Sequence, residues 1–267
     1  MRGVRPFFAT ACRLMVLWLA LAAPPAWAAE SSALALFEQG QYAKAIDTAA
    51  AEGGGVGLAL AARATLAEAS LRDAACFECL KRAEGFARQA IAADPNNLEG
   101  QLQLAVALGY QARIIGPLRA RFQRFPEQAR NAIETALRLE PNNPWALATA
   151  GGFQIEVVRS GGRLLGNLFY SASFDDGVAY YQRAIGADPD NAVIKIQYAL
   201  ALTSYAFEAR RVEIVAVLDS VTRGPAPDAY GKAMEVRAAQ LLDLLNHDKR
   251  EEYLTLAWRY LGFPQPR

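Results

Sequence analysis

Cys76-Phe77-Glu78-Cys79 is the segment with the clearest chemical potential. Two thiols three residues apart can close a disulfide, cycle as a redox dithiol, or contribute to a metal or haem site. A catalytic dithiol needs a strand leading into the helix that carries it, and no strand pattern precedes residue 76. Covalent haem needs histidine directly after the second cysteine, where Leu80 stands. A metal site needs more ligands than two cysteines and one distant histidine. A structural disulfide between Cys76 and Cys79 is the expectation, with free or partly paired thiols as the alternative. Positions i and i+3 share a helix face, and closing so short a loop stabilises by only about 2 kcal/mol.

The remaining reactive types are sparse. His247, the sole histidine, sits in Asn246-His247-Asp248-Lys249 and reads as a loop residue. No Gly-x-Ser-x-Gly elbow accompanies it. Gly53-Gly54-Gly55 and Gly161-Gly162 lack the Lys-Ser/Thr of a phosphate loop and read as turns. Nucleophile, base and orienting group cannot be assembled from this inventory, so the expectation is a non-enzyme with no catalytic residue, no metal and no cofactor.

The compartment bears on the cysteines. Arg2, Arg5 and Arg13 precede an apolar run from Leu14 to Ala23, followed by Pro24-Pro25-Ala26-Trp27-Ala28. This is the pattern of a secretory signal peptide over residues 1–28, cut after Ala28, with residues 29–267 forming the mature domain. The run is too short for the roughly 30 Å of a bilayer core, so no stable membrane span is expected after cleavage. Export to the periplasm or outside the cell places Cys76 and Cys79 where disulfides persist. With 28 basic and 27 acidic side chains the net charge is +1, no reason to expect nucleic acid. Losing three arginines with the signal leaves 25 basic against 27 acidic.

The elements that must position these residues are helices. One phrase occurs three times: Ala90-Ile91-Ala92-Ala93-Asp94-Pro95-Asn96-Asn97, Ala136-Leu137-Arg138-Leu139-Glu140-Pro141-Asn142-Asn143 and Ala184-Ile185-Gly186-Ala187-Asp188-Pro189-Asp190-Asn191. Proline cannot continue the preceding helix, and the Asn or Asp beside it supplies turn and capping chemistry for the next. Ten residues past each proline stand Ala105, Gly151 and Ala199, small enough for close helix approach. Upstream, Ala90, Ala136 and Ala184 follow Ala87, Ile133 and Tyr181 at helical spacing, one buried stripe per unit. The patterns predict helices over 31–39, 42–51, 56–72, 77–93, 97–113, 127–139, 144–158, 175–187, 192–208, 210–222, 227–245 and 249–260, and no strand.

These segments resemble tetratricopeptide repeats, whose pattern pairs small residues on two helices with an acidic-Pro-Asn-Asn turn. A fourth likeness is Leu36-Phe37-Glu38-Gln39-Gly40-Gln41-Tyr42-Ala43-Lys44-Ala45-Ile46. The resemblance implies an all-α, right-handed superhelical solenoid of antiparallel hairpins. The prolines are 46 and 48 residues apart, against about 34 in that family. The surplus falls between the two helices of each hairpin, as insertions Ile114 to Pro126 and Ser160 to Phe174. A longer irregular repeat of the HEAT type competes, but the acidic-Pro-Asn-Asn turn disfavours it.

In the family the first helices line a concave groove. The implied positions are Glu99, Leu102, Val106 and Gly109, then Trp145, Ala148, Gly152 and Ile155, then Val193, Ile196, Leu200 and Thr203, with Tyr110 adjoining. An open groove of this kind suits an apolar helix, an extended segment or a lipidic ligand; an alternative is that the insertions fill it. The first insertion carries Arg113, Arg119, Arg121, Arg124 and then Arg130, interleaved with Ile114, Ile115, Leu118, Phe122 and Phe125. It is expected either to offer a basic, partly apolar face to an acidic peptide or lipid headgroup, or to hold solvated and paired arginines over the stack. The second, Gly161-Gly162-Arg163-Leu164-Leu165-Gly166-Asn167-Leu168-Phe169-Tyr170, is expected to fold over the groove or lie on the core.

The function expected is a periplasmic or secreted scaffold or adaptor that binds a protein or peptide, anchored by Leu102, Tyr110, Trp145 and Ile196. The alternative is a carrier of a small apolar or lipidic ligand, since the stretch around Gly161-Gly162 resembles the tetratricopeptide-type accessory component of certain periplasmic solute transporters.

Overall fold

Asn97, Asn143 and Asn191 close the three repeated phrases, and each begins a helix. Asn97 Oδ1 accepts the Gly100 N–H at 2.6 Å, Asn143 Oδ1 those of Trp145 and Ala146 at 3.0 and 3.1 Å, and Asn191 Oδ1 that of Ile194 at 3.1 Å. The backbone turns back in the same way each time, with the asparagine N–H donating to the carbonyl of Asp94, Glu140 or Asp188 three residues earlier. A capped turn of this kind satisfies donors that a helix start leaves unpaired. Three like sequences thus make three like turns.

The computed structural model describes residues 32–263, all-helical with no strand among them. The expected signal peptide and its cut lie outside the described residues. The helices are α1 (Ser32–Glu38), α2 (Tyr42–Glu52), α3 (Gly54–Leu71), α4 (Phe77–Ala93), α5 (Leu98–Ile115), α6 (Pro117–Phe122), α7 (Phe125–Leu139), α8 (Pro144–Tyr170), α9 (Phe174–Ala187), α10 (Ala192–Thr222), α11 (Ala229–Asn246) and α12 (Arg250–Tyr260). Three differ from expectation. The segments expected at 192–208 and 210–222 are one helix, bent at Ala206 with φ −138°. α8 runs on through the second insertion, kinked at Gly162, whose φ of 77° is open to glycine at little cost. The first insertion likewise holds a helix, α6.

Consecutive helices pack as hairpins: α1 with α2, α3 with α4, α5 with α7, α8 with α9, α10 with α11. The first helices also touch one another in order, α1 to α3, α3 to α5, α5 to α8 and α8 to α10. Small residues make these seams. Ala87, Ala90, Ala136 and Ala184 are fully buried, and Ile133 and Tyr181 nearly so. At Gly151 the approach is closest, since a Cβ there would stand 2.7 Å from the Tyr181 ring and 2.8 Å from the Gly177 carbonyl. Only glycine fits that contact without a shift.

The C-terminal pair α11 and α12 lies across the ends of these first helices. Tyr230 of α11 meets Phe37 and Tyr42 with ring centroids 6.5 and 6.4 Å apart, and its hydroxyl bonds Ser70 at the end of α3 at 2.9 Å. Arg237 donates to the Ser70 carbonyl at 2.6 Å. Tyr253 of α12 is buried, stacked on Phe207 at 5.2 Å and bonded to Thr203 of α10 at 2.6 Å. Beyond α12, Gly262 lies so near Tyr110 of α5 that a Cβ would be 3.0 Å from its ring. Met234, Leu241, Leu245 and Tyr253 share a core cluster with Ile155, Ile196 and Leu200. This hairpin is integral to the core.

Candidate functional site

Nearly half of the positions expected to line a groove are interior. Leu102, Ala148, Ile155, Ile196 and Leu200 are 8 % exposed or less and face other helices. The anchor role expected of Leu102 and Ile196 is therefore not open to them. The reason is geometric: each first helix is flanked by its own partner and by neighbouring first helices, and the C-terminal hairpin covers α8 and α10 further. Val106 and Tyr110 are half-buried against α3 and α4. Trp145, 42 % exposed at the start of α8, is the most open of them, while Glu99, Gly109, Gly152 and Val193 are partly exposed.

Arg113 leaves the basic insertion to which it was expected to belong. Its guanidinium pairs with Glu156 of α8 at 3.2 Å and donates to the Leu261 carbonyl at 2.9 Å. Arg159, one turn after Glu156, grips the same carboxylate. Phe263 lies between the two cations, its ring 5.4 Å from the Arg113 guanidinium and 4.4 Å from that of Arg159. Burial pushes the Glu156 carboxyl up, but the Arg113 charge and the Arg159 hydrogen bond outweigh it and hold the group below the usual carboxylate range. This cluster ties α5, α8 and the end of α12 together, so its role is structural.

The two insertions, far apart in sequence, meet. Arg121 of α6 donates to the Tyr170 hydroxyl at 3.0 Å and stacks over Phe169 at 4.7 Å. Tyr170 in turn donates to Glu127 at 2.8 Å and sets its ring edge-on to Phe153. Gly166 presses the segment after the kink back onto Val158, where a Cβ would be 3.4 Å from the Val158 Cα. Ser173 N–H donates to Gln154 at 3.1 Å and closes the excursion.

Their apolar residues divide. Ile115 and Phe125 join the core around Leu104 and Leu108, and Ile114 the cluster around Leu66 and Leu80. Leu118 and Phe122 on α6, with Leu164, Leu165, Leu168 and Phe169 beyond the Gly162 kink, are 50 to 80 % exposed. Ten large apolar side chains are exposed among the described residues, and these two short segments hold six of them. Arg119, Arg124 and Arg163 stand beside them with no acidic partner among the described residues. Surface leucines scattered singly need no explanation, whereas a contiguous apolar patch rimmed by charge marks a contact surface.

Elsewhere the chemistry is quiet. Cys76 and Cys79 are bonded, with Cα atoms 5.2 Å apart, at the start of α4. The Cys76 sulfur also accepts the Cys79 N–H at 3.2 Å as the helix cap. His247 ends α11, its Nδ1 2.9 Å from the Asp243 carbonyl. No cluster of His, Cys, Asp or Glu suited to a metal occurs among the described residues. A cleft of about 410 Å³ between the end of α3 and the last two helices is lined by Arg72, Arg237 and Arg259 with Asp73 and Asp243, a mixed-charge surface rather than an apolar ligand cavity.

Fold and site together define an all-helical protein of packed hairpins, with exposed apolar and basic side chains on two segments that meet at Arg121, Phe169 and Tyr170. In comparisons with known protein families, curated proteins and solved structures, nothing matches this chain.

Proposed function

We propose that this protein is an exported, non-enzymatic scaffold of tetratricopeptide-like hairpins stacked as a solenoid, and that it works by docking through the face of α6 and the post-kink part of α8. One observation carries this reading: six of the ten exposed large apolar side chains fall in the two insertions. Hairpin packing does not need them there, since the same segments bury Phe125 and Gly166 and pack Ile115 against the core. Leaving a leucine or phenylalanine in water forgoes roughly 1.5–3 kcal/mol of burial, a cost that a docked surface recovers. The concave groove, the docking site of the family resemblance, is a poorer candidate because two of its four implied anchors, Leu102 and Ile196, are core residues and Tyr110 is half-buried.

Photocrosslinking residues placed one at a time at Phe122, Leu168 and Val212 test the reading in the native cell envelope. Val212 is the control, 85 % exposed and outside the insertions. Crosslinks at 122 and 168 but not at 212 are expected, whether the adduct is protein or lipid. Equal labelling at all three positions would remove the basis for a dedicated face.

A further inference from the structure

We propose that the occupant of this face is an anionic lipid surface, an inference that rests on the docking reading above. α6 and the post-kink segment of α8 lie in the membrane interface, with Leu118, Phe122, Leu164 and Leu168 immersed and Arg119, Arg124 and Arg163 at headgroup level.

The case rests first on charge. From Ile114 to Pro126, and from Ser160 to Ala172, there is no Asp or Glu. The acid that follows the first insertion, Glu127, already holds the Tyr170 hydroxyl. Many other arginines sit on a carboxylate, as Arg72 on Glu68 at 2.8 Å, Arg130 on Glu134 at 2.7 Å and Arg250 on Glu208 at 2.8 Å, and Arg183 and Arg237 donate to backbone carbonyls instead. Unpartnered arginines around exposed leucine and phenylalanine, in a chain of nearly balanced charge, complement an anionic surface.

Geometry is the second support. Leu118 and Phe122 are four residues apart on α6, as are Leu164 and Leu168 after the kink, so each short helix shows one apolar side. Such segments lie in an interface with their apolar side chains among the first acyl carbons and their arginines snorkelling to the headgroups. No helix among the described residues is long and apolar enough to cross a membrane. A second copy of the chain is the poorer occupant, because a symmetric pairing of this face brings two sets of unneutralised arginines together.

Flotation of the mature chain tests this, using vesicles of phosphatidylcholine alone and of phosphatidylcholine with phosphatidylglycerol. The protein is expected to float with the anionic vesicles, weakly or not at all with the neutral ones, and less at high salt. Arg119→Gln/Arg124→Gln/Arg163→Gln is expected to weaken binding roughly a hundredfold, from about fivefold per arginine. Phe122→Ser/Leu168→Ser is expected to abolish it. All five side chains are exposed, so both variants keep the helical circular dichroism and melting temperature of the parent, which is measured alongside. Failure of the parent to float with anionic vesicles, or flotation of both folded variants like the parent, overturns the lipid inference. If the parent fails to float yet residues 122 and 168 crosslink to a protein in the envelope, or mediate concentration-dependent self-association in sedimentation, the lipid inference falls and the docking face stands. If flotation and crosslinking both fail, both readings fall.

Discussion

Arg113 shows how one side chain changes meaning between sequence and structure. In sequence it heads a run of arginines; in the fold it turns inward to Glu156 and the Leu261 carbonyl. A mostly buried ion pair contributes less than its Coulomb attraction suggests, since both charges give up water, but removing one partner leaves the other uncompensated. Glu156→Gln is therefore expected to cost roughly 3 kcal/mol at neutral pH, measured by urea unfolding. The pH dependence has a definite sign. The folded carboxyl titrates below its ordinary value, so the stabilisation is present above the unfolded pKa of about 4.3 and is lost as pH falls through the lower folded value. The gap between parent and variant should narrow in acid, and a gap that stays constant down to about pH 3 would exclude the ionised pair as its source.

At the scale of elements, the repeated turn is the unit most open to test. Asn97, Asn143 and Asn191 each cap the following helix through the same side-chain oxygen. Replacing any one by alanine leaves backbone N–H groups without that acceptor and is expected to cost about 1 kcal/mol, at similar size in all three places. Thermal or urea unfolding of the three single variants measures it; a marked cost at one position alone would mean that the turns are not energetically equivalent. The cap of α4 is of another kind, since the Cys76 sulfur serves as acceptor while bonded to Cys79. Both kinked helices owe their length to tertiary surroundings. Gly162 supplies the positive φ that swings α8 outward, and Gly166 gives the contact that brings it back against Val158.

For the molecule as a whole, the C-terminal hairpin decides what is surface and what is core. Deleting residues 229–267 removes Met234, Leu241, Leu245 and Tyr253 from the cluster that holds Ile155, Ile196 and Leu200. It also removes the Leu261 carbonyl from Arg113. The shortened chain is expected to melt well below the full chain and to bind an apolar dye, rather than to display a stable open groove. A truncated chain with the parent's melting temperature would show the hairpin to be a separable plug.

The all-helical class, the three capped turns and the small residues at the seams were legible in the sequence because they depend on local chemistry. Proline ends a helix wherever it falls, asparagine caps the next one within three residues, and alanine spacing marks a buried stripe. The joining of the two insertions was not legible. Arg121 and Tyr170 are 49 residues apart, and nothing in either segment names the other. The lack of acids in both was a signal that their arginines find no carboxylate within their own segments. Which apolar residues stay exposed was likewise beyond reach, because Ile115 and Phe122 look alike in sequence and differ only in what the fold sets opposite them. Periodicity says that a face is apolar; only the three-dimensional arrangement of distant segments says whether a neighbour covers it.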